Sequence, residues 1–187
     1  MRFILLVFFL LAHFCFSQEQ EIIKILNDEI QKEVRYQKNN PEYFPGEKFE
    51  LVHRFDIKDS ILTVNVIQVD SITFEQTAEY LAQTDLKLLS VVVKRKNENN
   101  NTYYTEKQEV NLSKIKRIIK DINIIFETEP DEVKVITMDE DGNKKLITRD
   151  LFFLYLSSEK HNEYLAETII DYFKKAGYDI EKGDWYD

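Results

Sequence analysis

Apolar residues recur at every fourth position near the start of the chain, between residues 20 and 36, and polar residues fill the positions between them. This spacing predicts an amphipathic helix, because about 3.6 residues make one helical turn. Asn39-Asn40-Pro41 should end the helix, since the residue before a proline avoids the helical region. The apolar stripe consists of Ile22, Ile23, Leu26, Ile30 and Val34.

Two more helices are predicted in the second half of the chain. Asn111 can cap a helix over residues 112–122. Ser157 or Ser158 can cap a last helix, and Gly177 is placed to end it in the left-handed conformation. The apolar positions of the first helix are Leu112, Ile115, Ile118, Ile119 and Ile122, and those of the second are Tyr164, Leu165, Ile169, Tyr172, Phe173 and Ala176.

Alternation with a period of two predicts strands between these helices. Apolar and polar residues alternate from Phe49 to Ile57, with His53 at an apolar position. A turn follows at residues 58–60, and residues 61–69 have the composition of a second strand. Two strands joined this tightly should pair antiparallel as a first hairpin.

Two further hairpins are predicted later in the chain. Residues 86–96 and 102–110 are rich in strand-forming side chains and flank a loop rich in asparagine. Residues 133–137 and a return strand around residues 146–147 flank a turn at residues 139–143. Between the first two hairpins, residues 72–83 fit either a short helix or an extension of a strand.

The order of these elements predicts the α+β class. About three hairpins should build an antiparallel sheet, and amphipathic helices should cover one of its faces as a two-layer sandwich. Residues 18–187 are enough for one domain with a real core, so we expect a single globular domain.

The first seventeen residues have the pattern of a secretory signal peptide. Arg2 supplies a positive charge, residues 3–14 are almost entirely apolar, and Cys15 and Ser17 place small residues before an expected cut. The apolar run is shorter than the ~20 residues that a membrane-spanning helix needs. Cleavage should leave a mature protein that starts at or near Gln18, is periplasmic or secreted, and has no stable membrane insertion. The alternatives are an uncleaved N-terminal anchor and a lipoprotein signal, although Phe14 stands before Cys15 where a lipoprotein signal needs a small residue.

Export changes the charge and the thiol content of the chain. The full sequence has a formal net charge of −9, and removal of the leader takes away one basic residue and no acidic one, which gives −10. The single cysteine leaves with the leader, so the mature chain has neither a disulfide nor a thiol nucleophile. Such an acidic chain should repel the phosphates of nucleic acid, and it suits a basic protein partner.

Few residues are candidates for chemistry. The two mature histidines, His53 and His161, lack the three or four clustered ligands of a zinc site. Asp139-x-Asp141-Gly142-Asn143 has some features of a calcium loop, but its glycine follows the second acid directly, and the spacing fits a hairpin turn better. We therefore expect no catalytic residue, no cofactor and no metal site.

Four aromatic residues are the candidates for a binding surface: Tyr103, Tyr104, Trp185 and Tyr186. Tyr and Trp are frequent in interfaces because they combine a large apolar area with a polar tip. With the leader and the negative charge, they favour an exported, non-enzymatic binding protein, such as a periplasmic immunity or inhibitor protein that blocks a basic toxin or enzyme. A small-ligand-binding pocket protein and a hydrolase without a recognisable motif are the alternatives.

Overall fold

The computed structural model describes the backbone of residues 2–42, 46–60, 86–97 and 100–186, and the side chains of these residues except 2–17, 59, 60 and 86. The described helices are α1 (Arg2–Asn39) and α2 (Glu163–Lys175). The described strands are β1 (Phe49–Ser60), β2 (Leu86–Lys96), β3 (Tyr103–Asn111), β4 (Ile115–Lys120), β5 (Ile124–Thr128), β6 (Val133–Asp139), β7 (Lys144–Arg149), β8 (Leu151–Phe153) and β9 (Glu181–Trp185). The α+β class is therefore confirmed.

The strands form two sheets. The first has five strands in the order β1-β2-β3-β6-β7, and every described pair in it is antiparallel. The second has four strands in the order β8-β5-β4-β9 and is mixed, because β9 runs parallel to β4 while the other pairs are antiparallel.

Helix α1 packs on β1 and α2 through its apolar stripe. Ile22, Leu26 and Ile30 are fully buried. Two side-chain amides on α1 also bind the backbone of β1: Asn27 exchanges hydrogen bonds of 2.9 and 3.0 Å with the C=O and N–H of Phe55, and Gln37 does the same with Phe49 at 2.6 and 2.9 Å. Each side-chain amide thus forms hydrogen bonds with both the backbone N–H and the backbone C=O of one residue of β1, as the backbone of a neighbouring strand would.

An aromatic cluster joins the two sheets to α2. Phe126 of β5 lies 6.4 Å from Phe152 of β8 and 5.3 Å from Phe173 of α2, measured between ring centroids. Phe152 in turn lies 6.4 Å from Phe55 of β1. These four rings are at most 2% exposed. The cluster is part of one continuous core. Elements that the sequence predicts and elements that it does not predict both contribute residues to this core.

Several predicted elements are confirmed. The helix over residues 20–36 lies within α1, which ends at Asn39 ahead of Pro41. The second and third hairpins correspond to β2–β3 and β6–β7. Gly177 follows α2 with a φ of 87°, which is the left-handed conformation expected of it.

The predicted helix over residues 112–122 is wrong. Asn111 accepts a hydrogen bond from the backbone N–H of Ser113 at 3.1 Å, but it starts only a 3-10 turn over Leu112–Lys114, after which the chain continues as β4. The isoleucine-rich run satisfies a helical spacing and a strand equally well. Its β-branched side chains favour the strand, and pairing with β5 and β9 selects it.

Three smaller predictions are also wrong. The proposed turn at residues 58–60 belongs to β1, which pairs with β2 as far as Ser60. Irregularities in this pairing around His53 break the alternation, and His53 is exposed. Tyr164 of α2, assigned to the buried stripe, is 51% exposed. The predicted segments 61–69 and 72–83 lie outside the described residues.

Among the side chains that the structure describes, no helical stretch is both long and apolar enough to cross a membrane.

Candidate functional site

The first two predicted binding residues lie at the start of β3 in the five-stranded sheet. Tyr103 is 43% exposed, and the Lys94 ammonium lies 4.9 Å from its ring centre. Tyr104 is half-buried, with the Arg95 guanidinium 5.9 Å from its ring centre. Consecutive residues of a strand point to opposite faces of the sheet, so these two tyrosines do not form one patch.

The other two predicted residues lie at the end of β9, in the second sheet. Trp185 is half-buried, with the Lys120 ammonium 5.7 Å from its ring centre, and its indole N–H is buried without a hydrogen-bond partner among the described residues. Tyr186 is 63% exposed, while its backbone N–H donates to the carbonyl of Lys120 at 2.9 Å. The four predicted residues therefore belong to two different sheets.

Strand β9 is held close to β4 by a glycine. A Cβ atom at Gly183 would lie 2.5 Å from the side chain of Ile119, closer than real contacts allow. Glu181 and Lys182 pair with Arg117 and Ile118, and after a register shift the pairing resumes at Trp185. The glycine thus lets the strand lie against β4 while its charged neighbours face outward.

Acidic side chains gather on β9 and on the adjoining helix α2. The described residues 163–186 contain six carboxylates and three lysines, and all nine side chains are exposed. Ion pairs join Lys182 to Glu163 at 3.7 Å and Lys175 to Asp171 at 2.5 Å. We call the following residues the C-terminal acidic surface: Glu163, Glu167, Asp171, Asp179, Glu181, Asp184 and Tyr186.

A buried lysine lies behind this surface. Lys120 is 4% exposed, and its ammonium donates to the carbonyl of Glu159 at 2.9 Å and to the side-chain oxygen of Asn162 at 2.8 Å. Asn162 occupies the N-cap position of α2 but makes no capping hydrogen bond with its side chain. Lys120 therefore ties β4 to the segment that leads into α2.

The same segment is bound from the other side by Glu33 of α1, which is 3% exposed. Its carboxylate accepts hydrogen bonds from the backbone N–H groups of Ser157 and Ser158 at 2.9 and 3.0 Å, and from both serine hydroxyls. The two serines predicted as caps of α2 thus bind α1 instead, and α2 begins only at Glu163.

A third buried polar cluster connects the two sheets. The Tyr155 hydroxyl donates to Glu106 of β3 at 2.6 Å and accepts from Gln108 at 2.5 Å, while the other end of the Gln108 amide accepts from the backbone N–H of Phe153 at 3.0 Å. Arg95 lies 3.5 Å from Glu106. Tyr155 has a φ of 56°, a left-handed conformation that is unfavourable for an aromatic residue and that these contacts hold in place.

Burial raises the pKa of Tyr155 well above its ordinary value, and the Glu106 carboxylate raises it further. The folded state therefore favours the neutral phenol. Its contribution to stability is complete below the unfolded-state pKa of about 10, and it falls as the pH rises above that value. We expect the unfolding free energy of Tyr155→Phe to fall less steeply with pH than that of the wild-type protein between pH 10 and 11.5, by up to ~1.4 kcal/mol per pH unit. Denaturant unfolding at several pH values measures this slope.

A matched variant separates the buried hydroxyl from tyrosines in general. Tyr186→Phe removes a hydroxyl that faces water in the folded state, so it should keep the wild-type slope. Equal slopes for Tyr155→Phe and the wild-type protein would contradict a buried phenol that stays neutral.

Two open grooves lie among the described residues. One of about 440 Å³ lies along α1 next to α2, where Glu21, Asp28, Lys32 and Arg35 give its lining mixed charge. Another of about 490 Å³ lies between α1 and β1. Within the described ranges, no three His, Cys, Asp or Glu side chains gather as they would around a metal ion.

The segment compared with a calcium loop forms a turn. The Asp139 carboxylate accepts hydrogen bonds from the side chain and backbone N–H groups of Asn143 at 2.9 and 2.8 Å and from the N–H of Asp141 at 3.0 Å. These bonds, those from Asn143 first, hold the pKa of Asp139 below its ordinary value. With Gly142 at a φ of 84°, the predicted turn is confirmed.

Comparison of the chain with models of protein families, with curated proteins and with solved structures found no match.

Proposed function

We propose that this chain is an exported, non-enzymatic protein that binds a basic protein partner, in the manner of a periplasmic or secreted immunity or inhibitor protein. The observation that supports the proposal most is the C-terminal acidic surface. It combines exposed carboxylates with an exposed aromatic residue on a strand and a helix that are firmly attached to the core.

The charge of the surface favours a basic partner. Five carboxylates and three lysines on α2 and β9, with Asp179 between these elements, leave an excess of negative charge, and two of the lysines are engaged in ion pairs with that same surface. A patch of one sign attracts partners of the opposite sign and accelerates their association. The same charge repels the phosphates of nucleic acid.

An exposed tyrosine supplies contact area at one end of the surface. Tyr186 is 63% exposed, whereas the preceding Trp185 packs against the core beside Lys120. Such residues contribute strongly to binding when a partner covers them, because they release apolar area from water and keep a polar tip for hydrogen bonding. Close packing at Gly183 fixes their strand before the partner arrives, so little ordering is needed on binding.

The leader supports export. Residues 1–17 have the charge and apolarity of a signal peptide, and Glu19, just beyond them, is held in the folded domain. Glu19 is 9% exposed, forms an ion pair with Lys87 at 3.4 Å and accepts a hydrogen bond from the hydroxyl of Tyr178 at 3.3 Å. The contacts of Glu19 therefore hold the chain in the folded domain within two residues of the proposed cut.

Charge reversal on β9 tests the proposal. The mature protein is used to isolate its partner from the cell envelope of the source organism, and the affinity is then measured with the purified partner. Glu181→Lys combined with Asp184→Lys should weaken binding by about tenfold or more, because two attractive charges become repulsive. The affinity of the wild-type protein should also fall as salt is added.

A second double reversal serves as the control. Glu140→Lys combined with Asp150→Lys changes the net charge equally, at two exposed positions, one in the turn between β6 and β7 and one between β7 and β8. It should leave the affinity within a factor of about three if the contact is local to β9. Equal losses for the two double variants would show that only the overall charge matters.

A further inference from the structure

Export would place a glutamine, Gln18, at the N-terminus, where its side-chain amide can react with the free α-amino group. We propose that Gln18 of the mature protein is converted to pyroglutamate, so that the N-terminus of the exported protein is a neutral lactam. This inference rests on the proposed export, because a free α-amino group on Gln18 exists only after the leader has been removed.

The reaction needs no cofactor and no other reactant. The α-amino nitrogen of Gln18 attacks the side-chain amide carbon, and a carbon–nitrogen bond forms in a five-membered ring. The bond from that carbon to the amide nitrogen breaks, and ammonia leaves with the proton that the amine gives up. No atom is oxidised or reduced, and one ammonia molecule is the sole by-product.

The position of Gln18 makes the product favourable. After cleavage, Gln18 would be the first residue of α1, whose next residue is fixed by Lys87 and Tyr178. Ile22, one turn further on, is fully buried. The helix is therefore held in the core almost to its first residue, and a terminal ammonium would remain at the positive end of the helix dipole.

Cyclisation removes that unfavourable charge. The lactam is neutral, so the positive end of the helix no longer has a cation attached to it. Its five-membered ring also resembles that of proline, which is well tolerated at the first position of a helix. The ring is also more compact than the open glutamine side chain with a free amine.

The experiment is an intact-mass measurement of the protein after export from a host that removes the leader. We expect the mass of residues 18–187 reduced by that of one ammonia molecule, together with an N-terminus that does not react with amine reagents and resists aminopeptidase. Gln18→Glu should be exported with an uncyclised, reactive amine, because hydroxide is a much poorer leaving group than ammonia. Gln20→Glu is the matched control and should remain blocked like the wild type.

The outcomes separate this inference from the proposal on which it rests. A chain that begins at Gln18 with its full mass and a reactive amine would overturn the cyclisation and leave export intact. A chain that retains Met1 would overturn the cleavage, and the cyclisation with it. A chain that begins at another residue would likewise overturn the cyclisation while still supporting export.

Discussion

Phe126→Ala is expected to lower the free energy of unfolding by about 3–5 kcal/mol, the cost of removing a fully buried aromatic ring from a packed core. Phe126 is 0% exposed and contacts Phe152 and Phe173, so its removal leaves a cavity where β5, β8 and α2 meet. Denaturant unfolding followed by circular dichroism, with a common slope for both proteins, measures the difference.

The control for this loss lies four residues earlier in the chain. Ile122 is 60% exposed in the turn between β4 and β5. Ile122→Ala should change the unfolding free energy by no more than about 0.5 kcal/mol, as expected for a surface position. Similar losses for the two variants would contradict the core described above.

Glu33→Ala is expected to lower the free energy of unfolding by about 3 kcal/mol, because it leaves several half-buried donors without an acceptor. The backbone N–H groups and hydroxyls of Ser157 and Ser158 all lose their partner. The substitution should loosen the segment around the two serines as well as lower the stability of the whole domain. Hydrogen exchange of the Ser157 and Ser158 amides should accelerate more than exchange in the strands, which mass spectrometry of peptides can resolve.

Two variants on the same helix calibrate this effect. Asp28→Ala removes an exposed carboxylate from α1 and should change the unfolding free energy by no more than about 0.5 kcal/mol. Glu33→Gln keeps one side-chain carbonyl as an acceptor and should lose less than Glu33→Ala. Unchanged exchange at both serines in Glu33→Ala would contradict the role of this carboxylate.

The sequence predicts well those elements whose pattern of apolar and polar residues fits only one type of secondary structure. The stripe of α1 continues over several turns, ends at a proline and has no β-branched run long enough to compete. The β2–β3 and β6–β7 hairpins combine alternation with turn residues, and Gly142 adopts the positive φ that its turn requires. Local physics decides these segments, so they could be predicted without tertiary information.

The elements that the sequence mispredicts depend on distant partners. Residues 115–120 form a strand because β5 and β9 lie on either side of them. Strand β9 itself contains three charged residues and a glycine, and nothing in its alternation suggests a strand. It forms because Gly183 permits close contact with Ile119. Pairing of this kind cannot be recognised from a local window.

The buried polar contacts are harder to predict from the sequence than the helices and hairpins are. Glu33 lies 124 residues from Ser157, and no motif links them. Glu33 does follow Leu26 by seven positions, which places an acid on the buried side of the helix. An acidic residue on a predicted core face indicates a buried partner, although its identity requires the fold. The same holds for Lys120, which lies two positions after the buried Ile118 in β4 and is buried like it.

The candidate site could be predicted only in part. The tail aromatics are candidates by their residue type, and the structure places Tyr186 directly after β9, whose carboxylates are exposed. Their division from Tyr103 and Tyr104 could not be foreseen, because it follows from the separation of the strands into two sheets. Because of that separation, binding at the C-terminal acidic surface can be tested separately from binding at the five-stranded sheet.

Site-specific photocrosslinking in the source cells tests the central claim most directly. A photoreactive phenylalanine is placed at position 186 on the C-terminal acidic surface and, in a second variant, at position 146 on the five-stranded sheet, where Leu146 is 62% exposed. The account predicts that position 186 crosslinks to one basic exported protein and that position 146 does not. A crosslink to that protein from position 146 alone, or a position 186 partner that is acidic, would contradict it.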